Sequence, residues 1–348
     1  MPSLFCAREK FYVLRPAGEP DRTIVQLKGL LTLAASIPIL PNMEEMGITI
    51  LYQDHYLLIV NKPAGMVIHP TYKHTDGGTM WDALLRHLEA QEPEQWSPPA
   101  LADDPAWARA PLEIQDMLRE RRRAQILQEE GLLPRPCLVH RLDKDTSGVV
   151  ALARTERSRT HLVHQFHDHT IVKSYLAVVE PGSPDWTQPR APLSVAFPHN
   201  GRVLTHFPTS FIQELVPDTE FLIDGPLWRD PDDRRRCVVI EGGQEARTWV
   251  RVLAHEAGRS LLEVRPVTGR THQIRAHLAA LGQAIAGDPV YRELQPSDLV
   301  LGRQFLHARS LTLRHYVDNR VMTFTAPLTA DLLAWLERYF PAAQLHVV

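Results

Sequence analysis

Apolar and polar positions follow two periods along the chain, one typical of strands and one typical of helices. Short alternating or continuous apolar runs predict strands at 48–52, 56–60, 149–153, 172–179, 247–253 and 260–265, near 311, and at 321–325. Helical patterns predict helices at 79–87, 156–168, 271–281 and 329–339. Neighbouring strands often lack an intervening helix, which favours an α+β fold over a doubly wound one. We therefore predict a mixed, mostly antiparallel central sheet flanked by helices.

Two of the predicted helices show which face is buried. The apolar stripes consist of Leu162, Val163 and Phe166 in the first, and of Ile274, Leu278 and Leu281 in the second. In the second helix, Thr271 is a plausible N-cap and Gly282 is expected to end the helix.

The same patterns predict one main domain. It is expected at 48–340, after an extension at 1–47 that lacks clear periodicity and before a short tail at 341–348. Two insertions are expected within the domain. The one at about 91–136 has several prolines and then a charged, helix-prone run, so it should contain one helix. The one at about 181–245 is rich in proline and charge and is expected to run over the surface.

Composition limits the classes of function. The chain has 348 residues, 44% of them hydrophobic and 23% charged, which is ordinary for a globular protein. No apolar run approaches the roughly 18 residues that span a bilayer, and no secretory signal is evident, so we expect no membrane association. Cys6, Cys137 and Cys237 lie far apart without a C-x-x-C pair. This pattern argues against a zinc ribbon and favours a reducing cytoplasm.

The formal net charge of −3 means that the molecule as a whole is not a basic nucleic-acid binder. Any contact with phosphate must therefore use a local basic patch. The arginines in 119–123 are one candidate, but Glu113, Asp116, Glu129 and Glu130 lie among or near them. A solvated helix face is the favoured interpretation of that cluster.

The most informative segment is 139–148, which places Asp143 among cationic and proton-carrying neighbours and ends in a turn. A buried strand at 149–153 follows, and such a strand can hold a reactive side chain in place. Taken alone, the segment is equally well interpreted as a charged surface loop. Asp145 is better placed to hold the turn than to form a glycosidase pair with Asp143, because positions i and i+2 of an extended chain point to opposite sides. One reactive carboxylate is expected.

A second polar cluster lies at 266–275, where Gly269 allows a tight turn from a strand into a helix. His272 and Arg275 are three residues apart and are expected to share a helix face away from the apolar stripe. Arg275 could then reach a cleft. A solvent-facing arginine is the alternative, and the adjoining turn and polar neighbours favour a functional role.

Metal and cofactor chemistry find little support. The histidines at 161, 164 and 167, with Asp168, have a spacing that could suit a metal, but no H-E-x-x-H pattern is present. A solvated helix face is favoured for them, and a metal-dependent hydrolase is the weaker hypothesis. Phosphate-loop, dinucleotide-binding and serine-hydrolase motifs are absent from the sequence. We therefore expect no metal and no cofactor.

Taken together, these motifs resemble those of the RluA-type family of RNA pseudouridine synthases. The resemblance covers roughly residues 48–340, in the family's order. It is carried by segments 61–70 (NKPAGMVIHP), 140–148 (HRLDKDTSG), 173–177 (KSYLA), 268–275 (TGRTHQIR), 287–289 (GDP) and 305–308 (FLHA). Two departures from the family are expected: no S4-like RNA-binding domain in the extension at 1–47, and an unusually long insertion at 91–136.

The resemblance implies an isomerase that breaks the N–C1′ bond of specific uridines, turns the uracil, and rejoins it through C5, in a cleft across the sheet. Asp143 would be the essential carboxylate, kept ionised by the guanidinium of Arg275. Tyr175 would stack on the base and help remove the C5 proton. Arg141 would fill the vacated stack or hold phosphate. Weaker candidates for phosphate contacts are Lys62, Arg270 and His272.

The expected substrate is a uridine in a stem-loop of ribosomal or transfer RNA. The chain is expected to act in the cytoplasm as a monomer, without a metal, a cofactor or an obligatory protein partner. The alternative from a different class is an RNA-binding or RNA-remodelling protein whose catalysis is dispensable.

Overall fold

A computed structural model describes residues 46–68, 79–91, 107, 109–182 and 189–341. Most of the predicted extension and tail, and part of the first insertion, lie outside these residues. The described strands are β1 (Thr49–Gln53), β2 (Leu57–Lys62), β3 (Leu132–Leu138), β4 (Ser147–Thr155), β5 (Val172–Pro181), β6 (Ser194–Ala196), β7 (Val203–Leu204), β8 (Glu220–Asp224), β9 (Leu227–Arg229), β10 (Cys237–Val239), β11 (Arg247–Glu256), β12 (Arg259–Pro266), β13 (Gln283–Ile285), β14 (Leu306–Arg314) and β15 (Val321–Thr325). The described helices are α1 (Met80–Glu89), α2 (Leu112–Glu130), α3 (Glu156–His167), α4 (Gln273–Ala280), α5 (Pro296–Leu301) and α6 (Ala330–Tyr339).

One large sheet organises the molecule. Its main path runs β1-β2-β4-β14-β5-β12-β11-β8-β6-β7, while β3, β13 and β15 pair with strands of that path. Among the strand pairs of the described residues, β4 and β14 are parallel and the others are antiparallel. The predicted mixed, mostly antiparallel sheet is thereby confirmed. None of the described helices is both long and apolar enough to cross a bilayer.

The prediction that 181–245 runs over the surface was wrong in part, because the described residues of this segment form five strands and place several side chains in the core. Strands β6, β7 and β8 extend the main sheet, and β9 and β10 form a separate ribbon. In β8, Phe221 and Ile223 are fully buried while their neighbours are not. The strands are only two to five residues long. Each strand is therefore too short to show a clear alternation of apolar and polar residues, and the prolines and charged residues of the turns between the strands dominate the pattern.

Two details of the predicted helices were also wrong. In α3, Leu162 is buried, but the Val163 side chain is 41% exposed. The polar Gln165 occupies the inner position instead, where its amide forms two hydrogen bonds with the backbone of Arg314, each 2.8 Å long. Thr271 is not an N-cap, because α4 begins at Gln273 and its N-cap is His272.

The helix predicted within the first insertion is α2, and none of its residues is buried. Arg119 forms an exposed ion pair with Asp116 on its own helix. The arginine cluster thus lies on a solvated face, as predicted. Strand β3 follows α2 and pairs with β4, so the insertion ends in a strand that the pattern did not predict.

Candidate active site

A cleft of about 630 Å³ lies where the segment before β4 meets the loop between β12 and α4. Asp143 is the single acidic residue among the described residues that line it, whereas Arg141, Lys173, Arg270 and Arg275 all do. The cleft wall is therefore predominantly basic although the chain carries a net charge of −3. Such a wall attracts polyanions. Asp145 does not line the cleft, in keeping with one reactive carboxylate rather than a pair.

The loop that carries Asp143 is braced just beyond that residue. Arg303, which is 7% exposed, donates hydrogen bonds to the Asp145 carbonyl (3.2 Å) and to the Ser147 hydroxyl (3.3 Å). The Gln304 amide donates to the Thr146 hydroxyl (3.3 Å). Because the adjoining residues are fixed by buried side chains, the position of the Asp143 carboxylate is largely preset.

Gly148 explains why the loop must end in glycine. It has a φ of +118°, and a Cβ added there would lie 2.2 Å from the Ala308 carbonyl oxygen. Gly148 and Ala308 are partners in the short parallel contact between β4 and β14. Only glycine allows this close approach and this backbone conformation.

Lys62 does not line the cleft, although the sequence suggested a phosphate contact. Its side chain is fully buried, and its ammonium donates to the carbonyls of Pro63 (2.8 Å), Met66 (2.9 Å) and Lys144 (2.8 Å). All three of its protons are thereby used. Burial lowers the pKa of Lys62 to about 7, while the charge of Asp145 opposes that shift. Lys62 ties the turn after β2 to the residue that follows Asp143, and a contact with phosphate does not fit this geometry.

Arg275 lies between two carboxylates. Its Nη1 donates to Asp143 Oδ2 at 3.1 Å, while its Nε and Nη2 donate to the two oxygens of Asp288 at 2.7 and 2.9 Å. The guanidinium is 5% exposed and also lies over the Tyr291 ring, 5.2 Å from its centroid. Desolvation by itself would lower the pKa of Arg275, but Asp288 and Asp143 raise it above its usual value. The arginine is therefore a fixed cation that faces Asp143.

Asp288 was not singled out from the sequence as a site residue. It is fully buried, and besides Arg275 it accepts hydrogen bonds from the backbone N–H groups of Val290 (2.9 Å) and Tyr291 (3.3 Å). A carboxylate in the apolar stretch 284–290 was the available signal, because buried acids are rare unless they are paired. Its partner, 13 residues earlier in the chain, could not be identified without the fold.

Tyr175 lines the cleft from β5 and is partly buried. Burial, assisted by the negative charge of Asp143, raises the pKa of its hydroxyl well above the usual value. The phenol is thus neutral at any physiological pH. The structure brings Tyr175, Asp143 and Arg275 to one cleft, where the sequence predicted them to meet.

His272 also faces Asp143. Its Nε2 lies 3.8 Å from Asp143 Oδ2, and its Nδ1 is 3.3 Å from the Tyr291 hydroxyl. Its backbone has the left-handed φ of 54° that is uncommon outside glycine and asparagine. Burial lowers the pKa of His272 despite the charge of Asp143. This orientation suits a neutral neighbour of Asp143 better than the phosphate contact expected from the sequence.

Arg141 and Arg270 remain at the cleft wall. The Arg141 side chain is exposed, and the Nε of Arg270 donates to the Glu245 carbonyl at 3.0 Å. Both are placed where a polyanion entering the cleft would pass.

The histidines of α3 do not converge. His161 contacts the Arg314 carbonyl (3.1 Å), whereas His167 contacts Asp168 (2.9 Å). In the part of the chain that the structure describes, no group of three or more metal-ligating side chains is found.

Comparisons with known proteins agree on one family. A family model described as RNA pseudouridylate synthase matches residues 56–280. The ribosomal large subunit pseudouridine synthase D of Nitrosomonas europaea is 32% identical over 300 residues, which cover 84% of this chain and 66% of the relative. An uncharacterized RNA pseudouridine synthase of Chloroflexus aurantiacus is 37% identical over 286 residues, which cover 82% of this chain and 67% of the relative.

The chain thus spans about two thirds of the length of these curated relatives. Among solved structures, the human RNA pseudouridylate synthase domain containing 1 is 19% identical, with a TM-score of 0.49. The match covers 87% of this chain and 90% of the human one.

Proposed function

Because the chain belongs to the RNA pseudouridylate synthase family, we propose that it isomerises specific uridines in RNA to pseudouridine, with Asp143 as the essential carboxylate. The observation that carries this proposal is the pairing of Asp143 with the buried Arg275 inside a basic cleft. The pairing also favours catalysis over the alternative of an RNA-binding protein with dispensable catalysis, since binding alone does not need a preset carboxylate.

The proposed reaction is balanced without any external reagent. The bond between N1 and C1′ of the uridine breaks, the uracil turns, and a bond forms between C5 and C1′. The C5 proton leaves, and N1 takes up a proton. Asp143 would act on the sugar or on the base, by attack at C1′, by attack at C6 or by removal of a 2′ proton. Each route requires the carboxylate to be ionised.

The guanidinium of Arg275 supports that ionised state. At an N···O distance of 3.1 Å and an effective dielectric near 20, the Coulomb attraction is about 5 kcal/mol before the cost of desolvation. Because Asp288 occupies the other side of the guanidinium, the arginine cannot swing away without leaving a buried carboxylate unpaired. The Asp143 carboxylate would thus stay oriented and paired with a cation after RNA has displaced water from the cleft.

Other residues of the cleft would handle the nucleotide. Tyr175 would stack on the uracil, and its neutral hydroxyl would relay the C5 proton rather than accept it as a phenolate. Turning a uridine out of its helix costs a few kcal/mol, and Arg141 would offset part of that cost by filling the gap or holding phosphate. Arg270 would contact the backbone phosphates.

The proposed substrate is a uridine in large-subunit ribosomal RNA, as the names of several relatives suggest, and transfer RNA is the alternative. We propose that the chain acts in the cytoplasm as a monomer without a protein partner. The free thiol of the buried Cys237 is compatible with that compartment.

The test is to incubate the purified protein with unmodified transcripts of large-subunit ribosomal RNA and of transfer RNA, and to map pseudouridine in each. The same map is made for RNA from cells with and without the gene. We expect new pseudouridine at one or a few matching positions in both experiments. Transcripts that remain free of pseudouridine, together with identical cellular maps, would refute the proposed function.

A further inference from the structure

Lys173 is a cation in the candidate cleft. It lies on β5, lines the cleft and is only partly exposed. Its Nζ donates one hydrogen bond, to the Thr268 carbonyl at 2.9 Å. Within the described ranges, no carboxylate forms an ion pair with it. Burial lowers the pKa of Lys173 to about 8. Its two remaining protons are available to water or to a ligand in the cleft.

A glycine lies beside this ammonium in the loop that follows Thr268. A Cβ added to Gly269 would lie 3.9 Å from the Lys173 Nζ. Gly269 does not have a left-handed φ, so the backbone conformation does not require glycine there. What the glycine provides is access, because any longer side chain would extend over the ammonium.

The loop around Gly269 is rigidly held. The Gln273 side chain is 4% exposed, and its Oε1 accepts hydrogen bonds from the Thr268 hydroxyl (2.7 Å) and the Arg270 N–H (2.9 Å). Its Nε2 donates to the Arg247 carbonyl (2.9 Å) and the Thr248 hydroxyl (3.0 Å). The opening above Lys173 is thus built into the fold and does not depend on a flexible loop.

We propose that Lys173, with the open backbone at Gly269 and the neighbouring Arg270, forms a subsite for one RNA backbone phosphate beside the target uridine. This proposal rests on the proposed function. Lys173 and Tyr175 are two residues apart on one face of β5, so their Cα atoms are about 7 Å apart. The sugar–phosphate backbone of one nucleotide can span that distance. The phosphate at Lys173 would therefore belong to a nucleotide adjacent to the one whose base meets Tyr175.

The direct test pairs a protein variant with single neutral linkages in the RNA. The probe is a synthetic stem-loop from large-subunit ribosomal RNA with one uridine in its loop, in which each loop phosphate in turn is replaced by a methylphosphonate. Dissociation constants are measured for the full chain carrying Asp143→Asn, which prevents turnover, with and without Lys173→Met. In the protein that retains Lys173, we expect a methylphosphonate at one loop position to weaken RNA binding by about tenfold. In the protein that carries Lys173→Met, the same methylphosphonate should not weaken binding any further.

Arg338→Met is the matched control, because Arg338 is an exposed cation on α6 that does not line the cleft. Any change that Arg338→Met causes in the dissociation constant should be the same whichever loop phosphate is replaced by a methylphosphonate. Equal effects of each methylphosphonate with and without Lys173 would overturn the proposal. An effect of Lys173→Met that no linkage reproduces would overturn it as well, because it would indicate a structural role only.

Lys173→Met also removes the hydrogen bond to Thr268 and could unfold the loop, so a second variant leaves Lys173 intact. Gly269→Glu should place a carboxylate over the ammonium and weaken RNA binding by about tenfold or more, whereas Gly269→Ala should bind almost as well as the original chain. The melting temperatures of both variants should match that of the original. Undiminished RNA binding by Gly269→Glu would refute the subsite.

Activity distinguishes this proposal from the function on which it rests. RNA that gains pseudouridine while showing no coupling to Lys173 would refute the subsite alone. Coupled binding, together with no pseudouridine in the full transcripts and no difference between the cellular maps, would leave the phosphate subsite standing and refute the isomerase.

Discussion

At the scale of single residues, the Asp143 carboxylate is held by two successive ion pairs, the second of which is buried in the core. Arg275 faces it, and Asp288 fixes Arg275 from behind with two hydrogen bonds. Sequence patterns identified Asp143 and Arg275, since both lie in segments rich in polar and turn-forming residues. They did not assign a role to Asp288 or predict the burial of Lys62, because both depend on partners that only the fold brings close.

Asp288→Asn is expected to slow the reaction and leave RNA affinity unchanged. The substitution removes one charge-assisted hydrogen bond to Arg275, worth about 1.5–3 kcal/mol, which corresponds to a rate loss of about 10–100-fold. Single-turnover rates and dissociation constants would be measured on the same RNA.

Glu180→Gln is the control for this variant, because Glu180 also pairs with two arginines, Arg259 and Arg292, is only partly exposed, and none of the three lines the cleft. It should lower stability without slowing the reaction. An unchanged rate for Asp288→Asn would show that Arg275 needs no support from Asp288.

Tyr175→Phe is expected to keep the stacking ring and lose the hydroxyl. RNA affinity should be nearly unchanged, while the release of the C5 proton should slow by about 100-fold or more, the usual contribution of a positioned acid or base. Tyr175→Ala should in addition weaken binding by about 1–3 kcal/mol, because the stacked base loses its partner. A full rate in Tyr175→Phe would exclude the hydroxyl from proton transfer.

At the scale of elements, periodicity predicted most long strands and helices and also the five-residue β1 and β15, but it missed the seven-residue β3 and several shorter strands. Clear periodicity is found in strands β2, β5, β11 and β12 and in helices α1, α3 and α6. Each of these elements lies within a few residues of its predicted position. Strands β6 to β10 were missed because they have only two to five residues and lie among prolines and charged residues that dominate the pattern. The start of α4 was misplaced because the Gln273 side chain, rather than Thr271, binds the preceding loop.

Gly148→Ala is expected to separate β4 from β14 and to disturb the Asp143 loop. The added methyl group would overlap the Ala308 carbonyl, and the φ of +118° is unfavourable for alanine. The free energy of unfolding should fall by about 2–5 kcal/mol, and activity should be lost.

The control for Gly148→Ala is Gly182→Ala, where φ is also strongly positive, at +94°, and no atom lies within 4 Å of the added Cβ. That substitution should lower the free energy of unfolding by only about 1–2 kcal/mol. Urea unfolding measures both variants. Equal losses would indicate that the contact with Ala308 is unimportant.

At the scale of the whole molecule, charge is distributed unevenly. The net charge of −3 argued from the sequence against a general nucleic-acid binder, yet Asp143 is the one acidic residue among the described residues at the cleft wall. Sequence order could not reveal this, because the basic side chains come from β5, from the loop before β4 and from the segment around α4. Folding brings them together and leaves the acidic residues elsewhere.

RNA binding should therefore depend steeply on salt despite the acidic chain. Replacing Arg141 or Arg270 with glutamine should lower the slope of log affinity against log salt concentration by about 0.7–0.9 for each phosphate that the arginine no longer neutralises. Arg338→Gln, on the exposed face of α6 outside the cleft, should leave the slope unchanged. Equal slopes for all three variants would place the RNA outside this cleft.

The central claim is that the Asp143 carboxylate performs the chemistry, and the most direct test is the release of tritium from RNA labelled at uridine C5. The original chain should release tritium, and Asp143→Asn should release none while unfolding at the same temperature. Asp168→Asn, which changes an exposed carboxylate at the end of α3, should release it at the original rate. Tritium release by a folded Asp143→Asn variant at that same rate would contradict the account.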